Sequence, residues 1–191
     1  GFVGGQGAIA VNGAGAGFAP AHATLSLIAS DITLDGAHIA LGGLDLAAVG
    51  TGQGVVALAD PLATAQVGSL TVRNSLIAVT PGAAVVSGLR LGGGAVVLDG
   101  ANLASFTDTA LRGGDIRIAA GQLRFINGSI AGASTRSVGA GGDVVIRADG
   151  FQGENSSLYT LTATDCRAGR LSLSADSIDL TGVTLSSNAS G

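Results

Sequence analysis

Apolar residues along this chain occur in short runs that alternate with small or polar residues. Five pairs of Leu, Ile or Val separated by one residue recur: Leu25 and Leu27, Leu89 and Leu91, Ile116 and Ile118, Val144 and Ile146, and Leu171 and Leu173. A period of two is typical of a β-strand that buries one face. The runs are too short for helices, so the pattern predicts an all-β protein built from short strands.

A second motif follows these pairs. Its clearest copies span 32–40, 70–78, 96–104, 123–131 and 178–186, and two weaker copies surround Gly13 and Asn155. The central position of every copy is Gly or Asn: Gly13, Gly36, Asn74, Gly100, Asn127, Asn155 and Gly182. These two residue types enter the left-handed αL region at the lowest cost. We therefore predict a chain corner in the αL conformation at each of the seven positions.

The corners recur at intervals close to 27 residues, since subtraction of their positions gives 23, 38, 26, 27, 28 and 27. Each interval has room for three short strands separated by bends, which return the chain to its starting edge after one turn. A propeller blade needs four antiparallel strands in roughly 40 residues and fits less well. The spacing predicts a parallel β-helix of about seven rungs of roughly 27 residues, folded as a single domain over residues 1–191.

The interval of 38 residues departs from this spacing. Its surplus lies within residues 40–70, where Ala63 and Ala65 stand in place of the expected apolar pair. Insertions in solenoids form loops on one side of the rod. We predict that this segment, including the strand-like stretch 42–46, leaves the rod as a lateral excursion.

Composition narrows the classes of function. Hydrophobic residues make up 47% of the chain but aromatic residues only 3%, so the core must be built from Ala, Val, Leu and Ile. The formal net charge of −4 argues against binding to a nucleic-acid backbone. Cys166 is the only cysteine, which excludes a disulfide framework and a multi-cysteine metal site within the chain.

Carboxylates deserve consideration because parallel β-helices include polysaccharide lyases and glycosidases, and glycosidases use paired acids. Asp35 and Asp99 each precede a corner glycine, but Arg73 stands between them at the same register, which predicts a structural ladder with a charge pair. Asp115 and Asp143 each lie twelve residues before a corner, where a carboxylate can accept hydrogen bonds from backbone amides of the turn. We predict no catalytic residues.

Two histidines and a row of alternating threonines are the other candidates for binding sites. His22 and His38 lie in neighbouring repeats at different registers, with no evident third ligand, so we predict no metal site and no cofactor. Thr160, Thr162 and Thr164 alternate as in an ice-binding strand. Matching threonines are not evident in adjacent repeats, so ice binding is not predicted.

The order of the short motifs carries a resemblance to a known family. The first half contains Gly1-Phe-Val-Gly4, Gly7-Ala-Ile-Ala-Val-Asn-Gly13, Thr24-Leu-Ser-Leu-Ile28, Asp31-Ile-Thr-Leu-Asp-Gly36 and Gly42-Gly-Leu-Asp-Leu46. Downstream, Gly113-Gly-Asp-Ile-Arg-Ile118 and Gly141-Gly-Asp-Val-Val-Ile146 open two repeats. This order resembles that of two-partner secretion exoproteins of the filamentous-haemagglutinin family. Residues 1–110 resemble the C-terminal part of the secretion domain, and residues 111–191 resemble the first repeats of the adhesin shaft.

The resemblance implies a right-handed β-helix and export through an outer-membrane β-barrel transporter with POTRA domains. It also implies that the protein is secreted and works at a Gram-negative cell surface, as part of a longer chain. We expect a non-enzymatic adhesin-type exoprotein that could bind a host-cell receptor or a glycan. Two alternatives remain open at this point: a β-helical carbohydrate-active enzyme, and a structural spacer that holds a distal domain away from the cell.

The register also predicts which side chains lie inside the rod. In the rung of Asn127, we expect Ile118, Phe125 and Ile130 to point inward. In the last rung, Leu171, Leu173, Leu180 and Leu185 have no following rung within the chain to cover them. Because uncovered strand edges template association, we expect end-to-end self-association.

Overall fold

The computed structural model of the protein describes residues 2–3, 7–13, 23–51, 55–56, 67–80, 88–162 and 166–189. Within these ranges the chain forms seventeen β-strands and no helix. The strands are β1 (Phe2–Val3), β2 (Ile9–Asn12), β3 (Thr24–Ala29), β4 (Ile32–Asp35), β5 (His38–Leu41), β6 (Gly43–Ala48), β7 (Val55–Val56), β8 (Ser69–Arg73), β9 (Leu76–Val79), β10 (Leu89–Asp99), β11 (Asn102–Thr107), β12 (Ile116–Ile126), β13 (Ile130–Thr135), β14 (Val144–Glu154), β15 (Ser157–Thr162), β16 (Leu171–Thr181) and β17 (Thr184–Ala189).

Two large parallel sheets form the walls of a solenoid. The nine-stranded sheet has the order β16, β14, β12, β10, β8, β4 and β2, with β6 pairing both β3 and β10. The six-stranded sheet has the order β17, β15, β13, β11, β9 and β5. Strands that are hydrogen-bonded neighbours come from successive turns and run parallel. The predicted all-β parallel β-helix is therefore confirmed.

A single turn shows how the chain is bent. β12 runs for eleven residues along the nine-stranded sheet. Its pairing with β10 is interrupted opposite Gly94 and Gly121, where the strand bends without ending. The chain then passes the corner at Asn127 and enters the six-stranded sheet as β13. Three short strands were predicted per turn. In the turns of β10, β12, β14 and β16, the first two of these form one continuous bent strand.

The lateral excursion predicted within residues 40–70 is wrong for the beginning of that segment. β6 belongs to the rod, because it pairs in parallel with β3 on one side and with β10 on the other. Leu44 and Leu46, both fully buried, occupy the inward positions that the pattern assigned to Ala63 and Ala65. Those two alanines lie outside the described residues. Burial of two leucines in the core explains why the chain stays in the rod here.

The coil makes about five turns, fewer than the seven rungs predicted. Six strands occupy the same place in successive turns, namely β3, β6, β10, β12, β14 and β16, and five steps separate them. The copy around Gly13 contributes only β2 to the described residues. Counting corner motifs therefore overestimates the number of complete turns.

The core is a set of aliphatic columns along the rod axis. Leu91, Ile118 and Ile146 stack in one column, and Leu98 stacks on Phe125 in another. All five side chains are at most 2% exposed. The inward positions predicted for Ile118 and Phe125 are confirmed.

The inward position predicted for Ile130 is wrong. Ile130 is only partly buried, and Ala131 is completely buried in its place. The cause is an extra corner residue: Asn127 and Gly128 both have positive φ, 56° and 75°, whereas the neighbouring corners use one such residue. As a result Ala131, not Ile130, pairs with the inward-facing Leu103 of β11. A shift of one residue exchanges the two faces of a strand.

The last described turn is more open than the turns before it. Ile178, Leu180 and Leu185 are 49%, 40% and 45% exposed. Leu171 and Leu173 are partly buried. Among the described strands, β16 and β17 are paired on one side only, by β14 and β15. The exposed apolar end expected for this rung is therefore present.

Candidate functional site

The corners are the positions singled out most strongly by the sequence. All seven have positive φ: Gly13 119°, Gly36 66°, Asn74 46°, Gly100 60°, Asn127 56°, Asn155 46° and Gly182 65°. Six of these angles fall in or near the αL region, and that of Gly13 lies well beyond it. A corner glycine in one turn also makes space for a corner asparagine in the turn before it. A Cβ at residue 182 would lie 2.6 Å from Asn155 Oδ1, so the glycine leaves room for the asparagine side chain of the preceding turn.

Serines placed just after the corners tie adjacent turns together. Ser75 Oγ accepts a hydrogen bond from the backbone amide of Ala37 at 3.0 Å. Ser129 Oγ accepts one from the amide of Ala101 at 3.1 Å. Both serines are at most 2% exposed. At the corner the chain changes direction, so these amides cannot donate to a carbonyl of the adjacent strand. Each serine hydroxyl accepts that hydrogen bond instead.

The acids considered for catalysis form a ladder at the corners. Asp35 and Asp99 each pair in register with Arg73, which lies between them. Arg73 Nε lies 3.7 Å from Asp99 Oδ2. Asn127 Nδ2 donates a hydrogen bond of 2.7 Å to Asp99 Oδ1. The two carboxylates are two turns apart with a cation between them, an arrangement that holds turns together rather than converging on one substrate bond.

Asp115 and Asp143 sit at equivalent points of successive turns and bond to backbone amides. Asp115 Oδ1 accepts from the amide of Asp143 at 2.9 Å, and Asp143 Oδ1 accepts from the amide of Arg170 at 2.7 Å. Arg112 bridges the two carboxylates, with distances of 2.7 Å to Asp115 and 3.0 Å to Asp143. Each aspartate therefore caps the start of the following turn, as its position predicted.

The environment of Asp115 favours its ionised form. Burial by itself raises the pKa of this carboxyl group. The amide of Asp143 and the guanidinium groups of Arg117 and Arg112 outweigh burial, so the net pKa is lowered from its ordinary value of 3.8. A carboxylate held in this way is a poor proton donor near neutral pH.

The glycines of the two Gly-Gly-Asp motifs allow the turns to stack closely. A Cβ on Gly142 would overlap the carbonyl oxygen of Gly114 in the preceding turn, and a Cβ on Gly113 would lie only 2.8 Å from the amide nitrogen of Gly142 in the next turn. The motif therefore has two structural parts. The glycines permit close backbone approach, and the aspartate caps the next turn.

One buried ion pair was not expected from the sequence motifs. Asp45 is 3% exposed and accepts hydrogen bonds from Arg90 Nε at 2.6 Å and Nη2 at 2.9 Å. Ser26 Oγ donates a third, at 2.8 Å. The three residues stand in one column of β3, β6 and β10. The column could be recognised only once β6 was known to lie in the rod.

Two of the three threonines compared with an ice-binding strand lie inside the rod. Thr160 and Thr162 are at most 1% exposed, and Thr164 lies outside the described residues. Contrary to expectation, adjacent turns do supply matching threonines, since Thr107, Thr135 and Thr162 stack in register. All three are buried, so the column is part of the interior and not a surface for ice.

The remaining ligand-type residues do not converge. His38 is exposed on β5, and His22 lies outside the described residues. Cys166 Sγ contacts the carbonyl oxygen of Val138 at 2.9 Å. Within the described residues, no three His, Cys, Asp or Glu side chains are grouped so that they could hold a metal ion.

Comparisons with family models, with curated proteins and with solved structures find no match to this chain. In the part of the chain that the structure describes, no helix has the length and apolar character needed to cross a membrane.

Proposed function

We propose that this protein is a secreted, non-enzymatic surface protein of adhesin type, exported by a two-partner secretion system. Residues 1–110 would belong to its secretion domain and residues 111–191 to the first repeats of its shaft. The partner in export would be an outer-membrane β-barrel transporter with POTRA domains. The motif order quoted above is the origin of this proposal, and the parallel β-helix is the fold that the proposal requires.

One observation supports a non-enzymatic role most directly. The acids of the Gly-Gly-Asp motifs, Asp115 and Asp143, use their carboxylates to bond amides of the next turn and a shared arginine, Arg112. Asp45, the most buried acid in the described residues, is committed to Arg90 and Ser26 in the same way. Carboxylates that are bonded in this way to groups of neighbouring turns are not available for acid and base catalysis.

The construction of the rod is compatible with passage through a transporter in an unfolded form. The chain has one cysteine, so no disulfide within it has to form before or after translocation. The described contacts are mainly between neighbouring turns, which allows a solenoid to fold turn by turn as it emerges.

Export is tested in a Gram-negative host. The chain is fused behind a signal peptide and the transporter-recognition segment of a known two-partner exoprotein, and it is expressed with the matching outer-membrane transporter. We expect the protein in the medium or exposed to external protease. A transporter without its POTRA domains is the control and should leave the protein in the periplasm. Retention in the periplasm with both transporters would contradict the proposal.

The enzyme alternative is tested separately on the purified chain. We expect no release of reducing or unsaturated ends from pectin, hyaluronan or glucan, with or without calcium, beyond a heat-treated control. Release that is abolished by Asp35→Asn or Asp99→Asn would support the β-helical carbohydrate-active enzyme instead.

A further inference from the structure

The strands of the six-stranded sheet differ from those of the other wall because they contain no charged residue. None of its strands, β5, β9, β11, β13, β15 and β17, contains Asp, Glu, Lys or Arg. The nine-stranded sheet has charged residues in most of its strands, among them Asp45, Arg90 and Arg117. Charged residues are thus concentrated in the strands of the nine-stranded sheet, and Arg136, which follows β13, places a guanidinium over Phe106 of β11.

Small residues form a shallow shelf in the middle of the outer face of the six-stranded sheet. Ala78, Ala104, Gly132, Tyr159 and Ser186 are in register on successive strands. Four of the five are small, and the tyrosine is the single bulky member of the column. The tyrosine ring therefore has small residues beside it along this column.

The Tyr159 ring lies over the neighbouring glycine. A Cβ on Gly132 would overlap Cζ, Cε1 and Cε2 of Tyr159, and these three atoms are at similar distances from that position. Similar distances to three adjacent ring atoms mean that the glycine meets the face of the ring and not its edge. One ring face is therefore covered by the sheet, and the opposite face points away from it.

The hydroxyl of Tyr159 is available to a ligand. Within the described residues it makes no hydrogen bond, and the side chain is partly exposed. Beside it, Leu161 is 37% exposed. Phe106 has the guanidinium of Arg136 at 5.1 Å from its ring centre, and among the described residues no such cation lies over the ring of Tyr159.

Neutral polar side chains occupy several outer positions of the same face. Asn102 and Asn188 lie on the outer positions of β11 and β17, and Ser134 and Ser186 lie on those of β13 and β17. Amides and hydroxyls can both donate and accept hydrogen bonds. They match a ligand that has many hydroxyl groups and no charge.

We propose that this face binds an uncharged glycan chain, with Tyr159 as the platform on which one sugar ring stacks. This inference rests on the proposed adhesin function and adds to it the class of ligand. The C–H groups on one face of a pyranose are weakly positive and are attracted to the negative face of an aromatic ring. A neutral chain brings no charge to be desolvated, whereas an acidic polysaccharide would find no cation in these strands and only the guanidinium of Arg136, over Phe106, beside them.

The protein carries its own reporter for this site. Tyr159 is the only tyrosine and the chain has no tryptophan, so its tyrosine emission comes from the proposed platform. The purified chain is titrated with neutral hexasaccharides of glucose, N-acetylglucosamine and mannose, and with heparin as the charged comparison. We expect a saturable change in emission with at least one neutral hexasaccharide, little affected by salt, and none with heparin.

Variants separate stacking from other effects. Gly132→Ala leaves the tyrosine in place but displaces its ring, and should weaken binding about tenfold, the value of one aromatic stacking contact. Tyr159→Ala should abolish binding, measured by calorimetry because the fluorophore is lost, and Tyr159→Phe should retain part of it. Arg147→Ala, exposed on the nine-stranded sheet, is the matched control and should bind as the wild type does. Circular dichroism checks that each variant is folded.

The outcomes distinguish this inference from its alternatives. Absence of binding to every neutral hexasaccharide at millimolar concentration, or unchanged affinity in Gly132→Ala, would overturn it. An emission change that follows protein concentration instead of sugar would identify a second copy of the chain as the occupant and would also overturn it. None of these results would alter the export experiment, so failure of the ligand class and failure of the secretion proposal can be told apart.

Discussion

Truncation of Ile118 tests the internal register of the rod. Ile118 is 2% exposed and stacks between Leu91 and Ile146, whose strands are hydrogen-bonded to β12 on both sides. Because that pairing holds the backbones at a fixed separation, the neighbours can move little into the space left by Ile118→Ala. Large-to-small changes of this kind lower the free energy of unfolding by about 2–5 kcal/mol. Because this site cannot collapse, we expect a loss in the upper part of that range, about 3–5 kcal/mol. Ile118→Val should cost only about 0.5–1.5 kcal/mol.

The adjacent residue provides the matched control. Arg117 points outward, its side chain is 56% exposed, and it forms an ion pair of 2.9 Å with Asp115. Exposed ion pairs contribute about 0–1 kcal/mol, so Arg117→Ala should have a small effect. Urea unfolding is followed by circular dichroism and by tyrosine emission, and agreement of the two curves checks two-state behaviour. If Arg117→Ala were more destabilising than Ile118→Ala, the register would be wrong by one residue and every inside and outside assignment would be exchanged.

Three other predictions address the corner, the acid cluster and the end of the rod. Ala131→Asp should destabilise the protein by several kcal/mol in urea because it buries a charge, whereas Ile130→Asp should cost about 1 kcal/mol or less; the reverse order would contradict the corner of two residues. The lowered pKa of Asp115 means that its stabilising contribution is present above the ordinary value of 3.8 and is lost as the pH falls through the lower folded value. Asp115→Asn should therefore lower stability at pH 7 and flatten its acid-induced decline, and parallel pH profiles of the two proteins would argue against this role. Since Leu180 and Leu185 are 40% and 45% exposed beside strand edges, sedimentation velocity should show concentration-dependent association that an appended repeat with a charged outer face suppresses, and a monomer at hundreds of micromolar would refute it.

Backbone ladders join successive turns, and side chains at corresponding places in several repeats add further bonds between them. Asp115 and Asp143 cap amides at one corner, whereas Ser75 and Ser129 satisfy amides at another. Other charged side chains, such as Arg117, Arg124 and Arg147, are exposed on the outer face of the nine-stranded sheet. The wall that carries Tyr159, whose strands contain no charged residue, is therefore a distinct surface of the molecule and not a typical one.

The fold could be derived from the sequence because a β-helix is governed by local rules that repeat. A strand with one buried face needs alternating apolar residues, and a sharp corner needs Gly or Asn, so pairs such as Leu89 and Leu91 and corners such as Gly100 are visible without any three-dimensional information. The structural roles of Asp115 and Asp143 could be inferred for the same reason. Their fixed distance from the corner places each next to a backbone amide of the turn.

Other features depended on which turn lies above which, and that is a property of the tertiary structure alone. One additional residue, Gly128, moved Ile130 out of the core and Ala131 into it, because the sequence does not tell whether a corner uses one αL residue or two. The position of β6 between β3 and β10 brought Asp45 to Arg90, residues 45 positions apart in the chain. The stacking of Tyr159 on Gly132 likewise joins two residues that no local pattern relates. Local alternation determines that strands and corners form, whereas the register between turns is set by packing across the whole rod, and it is this register that decides which side chains meet.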